Sequence, residues 1–354
     1  MTHQPKEPSL SVVGWPAFRN RDSNPYNQLL YSAMGDLGVE VRDFGSTGWR
    51  ILDCDVIHVH WPENVLRDPG TLPAIRRTFA LFWIFATLRR RGIRVVWTAH
   101  NVEQHDHRHP TLARLYWNIF PRLVDGIISL SESNVELITR LLKRRYVPIT
   151  VIPHGHYRDA YPDTISATEA RKSLDLEEDA VVIGWVGAIR YYKNVDGLMG
   201  AFFEVAQQRW RLLLAGEAID EPLHQQLSKR ASQDSRVRYH PGWVPTQEMQ
   251  RYLKAADLIV LPYHAIWNSG AALLALSFNV PVVLPRSPAM LELRAQVGEQ
   301  WVYLYDGQFS GDILDECVQW LRQRRPSSAP NLDPLTWESI AARTVSFYRH
   351  VLEA

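Results

Sequence analysis

The sequence predicts an α/β protein built from two doubly wound parallel-sheet halves, and three observations carry this. Short continuous runs of Val, Ile and Leu recur along the chain, the mark of parallel strands covered on both faces. Longer amphipathic segments alternate with them. The alternation pauses once, in the Pro-, Asp-, Ser- and Thr-rich stretch 157–168, and then restarts. A chain of 354 residues holds two such domains. Their boundaries read as 1–160 and 161–330, with a last helical segment, 331–354, expected to pack back toward the first domain.

In the first half, residues 10–15 read as a strand, followed by a loop and a helix from about Tyr26. Further strands are expected at 39–43, 55–61, 93–99, 126–130 and 150–152. Helices are expected at 74–91, 112–120 and 132–143, the last capped from Ser131 and Ser133. In the second half the strands read at 181–186, 210–215, 237–239, 258–262, 280–284 and 301–305. The helices there read at 195–208, 221–232, 246–255, from about Ser269, 312–324 and 337–352.

Composition narrows the class. Hydrophobic residues make up 46% and charged residues 22%, as in an ordinary globular protein. Cys54 and Cys317 lie far apart without metal spacing, which points to a reducing compartment and no disulfide framework. Residues 1–10 are polar with two prolines and do not read as a secretory leader. No apolar run approaches the roughly 20 residues that span a bilayer. The net charge of +1 hides an asymmetry: residues 1–155 hold 19 Lys and Arg against 14 Asp and Glu, and the remainder 20 against 24. The basic residues are spread among aromatics with no nucleic-acid module, so nucleic acid is not an expected partner.

The chain is organised around 257–285, which reads strand, polar loop, small-residue helix, strand. Asn268-Ser269-Gly270 places a cap and a glycine at the start of a helix directly after a strand. Free N–H groups and a positive dipole end then face the carboxyl edge of the sheet, where a phosphate fits. A well-capped βαβ unit without a ligand would read the same. Upstream, Gly184-Trp-Val-Gly187-Ala-Ile-Arg190-Tyr-Tyr-Lys193 follows the first strand of this half. Gly187 allows close backbone approach, and Arg190 and Lys193 are a fork and a point charge for a diphosphate. Gly216 ends the next strand and Gly242-Trp243-Val244 the one after, where a doubly wound domain offers ribose and base contacts. The spacing matches neither a Walker motif nor GxGxxG.

This half resembles the donor domain of GT-B glycosyltransferases, with glycine-Arg-x-x-Lys, a base-contacting loop, then strand–loop–helix. Across both halves, His58-Val-His60-Trp61-Pro62-Glu63, Thr98-Ala-His100-Asn101, His154-Gly155-His156-Tyr157-Arg158-Asp159 and Asn268-Ser269-Gly270 resemble the bacterial exopolysaccharide β-mannosyltransferases of the xanthan type. The resemblance implies a GT-B fold, two Rossmann-like domains facing a central cleft. It also implies a nucleotide-sugar donor, GDP-mannose, and a lipid-linked oligosaccharide acceptor. The enzyme would be cytoplasmic and peripherally bound at the inner-membrane surface. Donor contacts are implied for Gly187, Arg190, Lys193, Gly216, Trp243, Val244, Asn268, Ser269 and Gly270, with His154, His156 and Tyr157 near the interdomain crevice. One departure bears on stereochemistry. Retaining members carry a glutamate five residues after the helix-opening glycine, where this chain has Ala275, which favours inversion.

Inversion needs one general base for the acceptor hydroxyl. The candidates are Asp106 in His-Asp-His and Glu63 in His-Trp-Pro-Glu, with Asp22 weaker; Glu63 reads equally as a loop carboxylate. His100 is either a hydrogen-bonded core histidine or the histidine that the resemblance places against the transferred sugar. His58, His60, His105, His107 and His109 invite a zinc reading, but alternating loop histidines lack the converging geometry of a metal site. Asp53-Cys54-Asp55 stands before a strand, not after one. No metal or other cofactor is therefore expected, and Arg190, Lys193 and the helix end neutralise the diphosphate. Segment 72–94 sets the aromatic run 79–86 between arginines. It reads either as a core helix with a basic end or as a membrane-surface helix. The alternatives to a GDP-mannose enzyme are a transferase using UDP-glucose or UDP-glucuronate, and a non-catalytic nucleotide-sugar or membrane-surface binding protein.

Overall fold

The computed structural model describes residues 10–21, 24–46, 53–100, 109–142, 146–264, 266, 268–323 and 328–354. Asp22, Asn101, His105, Asp106, His107 and Trp267 lie outside these. The chain divides into two units, 1–155 with 335–354, and 156–334.

The first unit runs β1 (Ser11–Trp15), α1 (Tyr26–Asp36), β2 (Glu40–Asp43), β3 (Val56–His60), α2 (Thr71–Arg90), β4 (Arg94–Ala99), α3 (Pro110–Ile119), β5 (Gly126–Ser129), α4 (Val135–Leu142) and β6 (Ile149–Val151). Its six strands lie in the order β2-β1-β3-β4-β5-β6. All pair in parallel, with Val13 opposite Ile57 and Ile57 opposite Val95. Every residue of β3 and β5 is buried, so both sheet faces are covered, and the polar residues His58, His60 and Ser129 are enclosed with the apolar ones. The order reverses between β1 and β3, where the carboxyl ends open a crevice.

The second unit runs α5 (Ala167–Ser173), β7 (Val181–Val186), α6 (Val195–Glu204), β8 (Trp210–Gly216), α7 (Glu221–Ala231), β9 (Val237–Pro241), α8 (Met249–Ala255), β10 (Leu258–Val260), α9 (Gly270–Ser277), β11 (Val282–Pro285), α10 (Pro288–Val297), β12 (Val302–Tyr305) and α11 (Gly311–Gln323). Its parallel sheet has the order β12-β11-β10-β7-β8-β9, so the reversal falls between β7 and β10. Two helices escape the sequence reading. α5 begins inside the stretch read as a linker, where Ser166 and Glu169 form a capping box: the Ser166 N–H donates to Glu169 Oε2 at 2.7 Å and the Glu169 N–H to Ser166 Oγ at 3.2 Å. α10 is capped by Ser287, and its apolar residues form no clear stripe. Other ends shift: α4 starts only at Val135, and α6 stops at Glu204.

The last helix, α12 (Trp337–Glu353), belongs to the first unit. Its Ile340, Ala341, Tyr348 and Val351 share one core with Val12, Tyr31, Met34, Val56 and Val96.

Helix α2 buries Ala74, Thr78, Leu81, Phe82, Phe85 and Leu88, a stripe at helical spacing. Its other side exposes Leu72, Phe79 and Trp83. Arg77 and Arg89 pair with Asp68 (2.8 Å) and Asp125 (2.9 Å), while Arg76, Arg90 and Arg91 stand exposed. Among the described residues no helix is long and apolar enough to cross a membrane.

Candidate functional site

In the second unit, the β7–β10 reversal places two loops side by side. Gly187 follows β7 at φ +134°, and its N–H donates to Ala215 O at 3.0 Å. Gly216, at φ +152°, ends β8 so close that a Cβ there would run into the Gly187 carbonyl oxygen. Both positions therefore demand glycine. The loop continues through exposed Arg190 into a turn, Tyr191–Lys193, which returns the Lys193 ammonium to within 4.0 Å of where a Gly187 Cβ would lie. The ammonium stands 5.6 Å from the Trp185 ring centre and 5.9 Å from that of Tyr263. Burial first, and the Arg190 charge second, push the lysine pKa down to about 8. The loop after β10 is tied to the turn by the His264 N–H donating to Tyr192 O at 2.9 Å. A cavity of about 340 Å³ lies here, lined among others by Arg190, Tyr191, Asn194 and His264. The Tyr191 hydroxyl donates to the Asp220 carboxylate at 3.2 Å. At the start of α9, Ser269 Oγ accepts the Ala272 N–H at 3.0 Å, and the N–H groups of Gly270 and Ala271 form the helix's open end. Gly242 (φ +108°) donates its N–H to Gly216 O at 3.2 Å, followed by exposed Trp243 and buried Val244. Two cations and an open helix end thus gather at one edge of one sheet, an arrangement that suits a diphosphate.

In the first unit, the strand ends of β3 and β4 hold a buried histidine network. His58 Nε2 lies 2.7 Å from Thr98 Oγ1, and its Nδ1 lies 2.6 Å from the Tyr348 hydroxyl. The Tyr31 hydroxyl lies 2.8 Å from His60 Nε2, and His60 Nδ1 lies 3.0 Å from His100 Nε2. His154 donates from Nδ1 to Gly155 O at 2.7 Å, which leaves its proton off Nε2 when the ring is neutral. The Tyr26 ring packs edge-on against His60, His100 and His154, and Trp61 stacks on His100 at 4.2 Å. Burial holds all four imidazoles neutral: the pKa of His58 falls to about 3 and that of His154 to about 4, and those of His60 and His100 lie well below the usual value. His58 is thus bonded to two hydroxyls, and His60 to one hydroxyl and to His100. Among the described residues no group of three His, Cys, Asp or Glu is placed to hold a metal ion.

Residues 180–322 match the family model described as glycosyl transferases group 1. The chain carries a group 1 glycosyltransferase domain. Over its whole length the chain is 29% identical to the GDP-mannose:glycolipid 4-beta-D-mannosyltransferase of Xanthomonas campestris pv. campestris, covering 95% of that protein. Among solved structures, sucrose-phosphate synthase from Thermosynechococcus elongatus superposes with a TM-score of 0.72 at 15% identity, over 98% of this chain and all of that one. Anabaena Alr3699/HepE in complex with UDP-glucose superposes at 0.65 with 13% identity, over 97% and 98%. The fold is GT-B, two six-stranded parallel sheets with helices around them.

The group 1 domain contains Gly187, Arg190, Lys193, Gly216, Trp243, Val244, Asn268, Ser269 and Gly270. The His154-Gly-His-Tyr run is divided by the unit boundary. His154 falls in the first unit, and His156 and Tyr157 in the second, where the Tyr157 N–H donates to Ser277 Oγ at 2.8 Å and His156 Nδ1 accepts the Arg158 N–H at 3.1 Å. Glu63 lies 3% exposed in the turn Pro62–Arg67, and its carboxylate adds to burial in keeping the Tyr116 phenol protonated. Asp106 lies outside the described residues. Asp55 serves the strand entry, its carboxylate accepting the Ser11 N–H at 2.8 Å. The sequence reading misses Trp185 and Tyr263, which enclose Lys193, and Tyr26, Tyr31 and Tyr348, which enclose the imidazoles. Each looks like an ordinary core aromatic; only the position of Trp185 and Tyr263 at strand ends sets them apart.

Proposed function

We propose that the chain is an inverting glycosyltransferase that moves mannose from GDP-mannose to a lipid-linked oligosaccharide in exopolysaccharide assembly, forming a β-mannoside. The observation that carries the reading is the Lys193 ammonium, held against Trp185 and Tyr263 beside Arg190 at the β7–β10 reversal. A charge so poorly solvated gains most from an anion, and a leaving diphosphate supplies one. The choice of mannose is supported by full-length similarity to the Xanthomonas enzyme, and inversion by Ala275 where retaining members have glutamate.

In this mechanism the acceptor hydroxyl attacks C1 of the sugar as the bond from C1 to the diphosphate oxygen breaks. Asp106 or Glu63 takes the acceptor proton. Arg190, Lys193 and the open end of α9 receive the charge that develops on GDP, without a metal ion. Helix α2, with Leu72, Phe79 and Trp83 exposed between arginines, brings the enzyme to the cytoplasmic face of the membrane, where the acceptor lies.

The deciding experiment is thermal stabilisation by GDP, UDP, ADP and TDP. A ligand at 100 times its dissociation constant adds about 2.7 kcal/mol to the folded state. A shift with GDP alone agrees with the mannosyl reading; a shift with UDP alone discards mannose; none at all removes the donor site. Transfer from GDP-mannose to a lipid extract, lost in Asp106→Asn or Glu63→Gln, then identifies the base.

A further inference from the structure

We propose that Tyr31 and His60 are positioning residues that lock His100 with its proton on Nδ1, so that His100 meets a sugar oxygen as a hydrogen-bond donor and not as a base. The argument follows one proton at a time. Tyr31 is buried, and among the described residues its hydroxyl makes one hydrogen bond, to His60 Nε2 at 2.8 Å. A phenol enclosed in this way must give its proton to that partner, because any other choice leaves a buried donor unsatisfied. His60 Nε2 therefore accepts. His60 is itself fully buried and neutral, held so by desolvation and by His58 and His100 beside it, so its single proton sits on Nδ1. That nitrogen lies 3.0 Å from His100 Nε2, which must in turn accept. His100 is neutral for the same reasons, with His154 and His58 as its charged-form neighbours, and its proton is left on Nδ1. One phenol thus sets the polarity of two imidazoles in series.

The surrounding packing holds both rings in place. Trp61 stacks on His100 at 4.2 Å and 21°, and Tyr26 meets His100 edge-on at 5.0 Å. His154, whose Nδ1 donates to Gly155 O, has the opposite polarity on its other nitrogen, an unprotonated Nε2. His154 and His100 both pack on Tyr26, so one aromatic ring separates an imidazole that accepts from one that donates. The assignment of a sugar oxygen to His100 rests on the glycosyltransferase reading; the tautomer does not.

The test is histidine-selective ¹³C/¹⁵N labelling of the full chain, with the His100 ring signals assigned by their loss in His100→Asn. The expected result near neutral pH is an Nδ1–H tautomer for both His60 and His100; an Nε2–H tautomer at His100 overturns the proposal. In Tyr31→Phe, which keeps the ring that fills the core, Nε2–H signals should appear at His60 or His100. Transfer from GDP-mannose should fall about tenfold in kcat, the effect of one lost polar contact, with the thermal midpoint little changed. Unchanged tautomers in this variant remove Tyr31 from the relay. His60→Gln, whose amide can accept from Tyr31 and donate to His100, should restore most of the transfer that His60→Leu loses; equal loss in both overturns the positioning role. If the tautomers are as stated but no variant or parent chain turns over any nucleotide sugar, the relay stands and the functional reading fails.

Discussion

The Lys193 ammonium lies 5.6 Å from the centre of the Trp185 indole, on the strand that leads into the glycine loop. A cation held by ring faces and partly stripped of water loses its proton early, hence a pKa of about 8 in place of 10.5. The folded value is the lower one, so with the site empty the folded state gains stability as pH rises from about 8 toward 10.5. A bound diphosphate favours the charged lysine and takes up a proton above pH 8. Nucleotide affinity should be flat below that pH and fall by up to about tenfold per unit above it. Calorimetry at pH 8.5 in buffers of different ionisation enthalpy reads the proton directly, and an affinity constant to pH 9.5 would exclude Lys193 as the phosphate cation.

Arg190→Ala and Lys193→Ala should each weaken GDP binding by roughly 10- to 100-fold, the range for losing a charge-assisted hydrogen bond. Their unfolding midpoints without nucleotide should not fall, because Arg190 is exposed and Lys193 is strained by its burial. A drop in midpoint matching the loss of affinity would make these residues structural.

Gly216→Ala sets a Cβ against the Gly187 carbonyl oxygen at a φ of +152°. Strain and overlap together should destabilise the second unit by about 2–4 kcal/mol. Urea denaturation tests this, and a loss below about 1 kcal/mol would mean that the two strand ends part easily.

Acidification should weaken the first unit. His58 and His154 are buried neutral with pKa values near 3 and 4, against an ordinary 6.5. The unfolded chain therefore binds protons that the folded chain refuses. Stability is intact above pH 6.5 and falls below it, each such imidazole contributing about 1.4 kcal/mol per pH unit. Urea midpoints measured at several pH values between 7 and 5 give the slope, and a flat profile would show that the rings open to water.

Phe79→Ser with Trp83→Ser should abolish sedimentation with anionic vesicles and leave GDP binding unchanged. Arg76→Gln with Arg90→Gln should weaken it by about 1 kcal/mol per charge. Binding that persists in all four-fold substituted protein would move the membrane contact away from α2.

The crevice of the second unit is legible in the sequence because its parts are local. A glycine and two cations fall within seven positions, 187–193, directly after a strand, so their grouping at one strand end is readable before any folding is known. The same holds for the Ser269 cap, whose partner is three residues away. The first unit's network is not legible, since its bonds join distant positions: Tyr31 with His60 across 29 residues, and His58 with Tyr348 across 290. Histidines at alternate positions of a strand read as possible ligands until the hydroxyls that bind them are placed. Helices α5 and α10 are missed for another reason, because their stability comes from caps and packing more than from an apolar stripe.

The return of α12 to the first unit also sets an order of assembly on the ribosome. The chain leaves the tunnel from its amino end at about 5–20 residues per second. The second unit, residues 156–334, is complete in sequence before Ile340, Tyr348 and Val351 have been made. The unit begun first is therefore the one finished last. Until residues 335–354 have been made, its sheet lacks the helix that covers part of its core, and those apolar side chains stay uncovered.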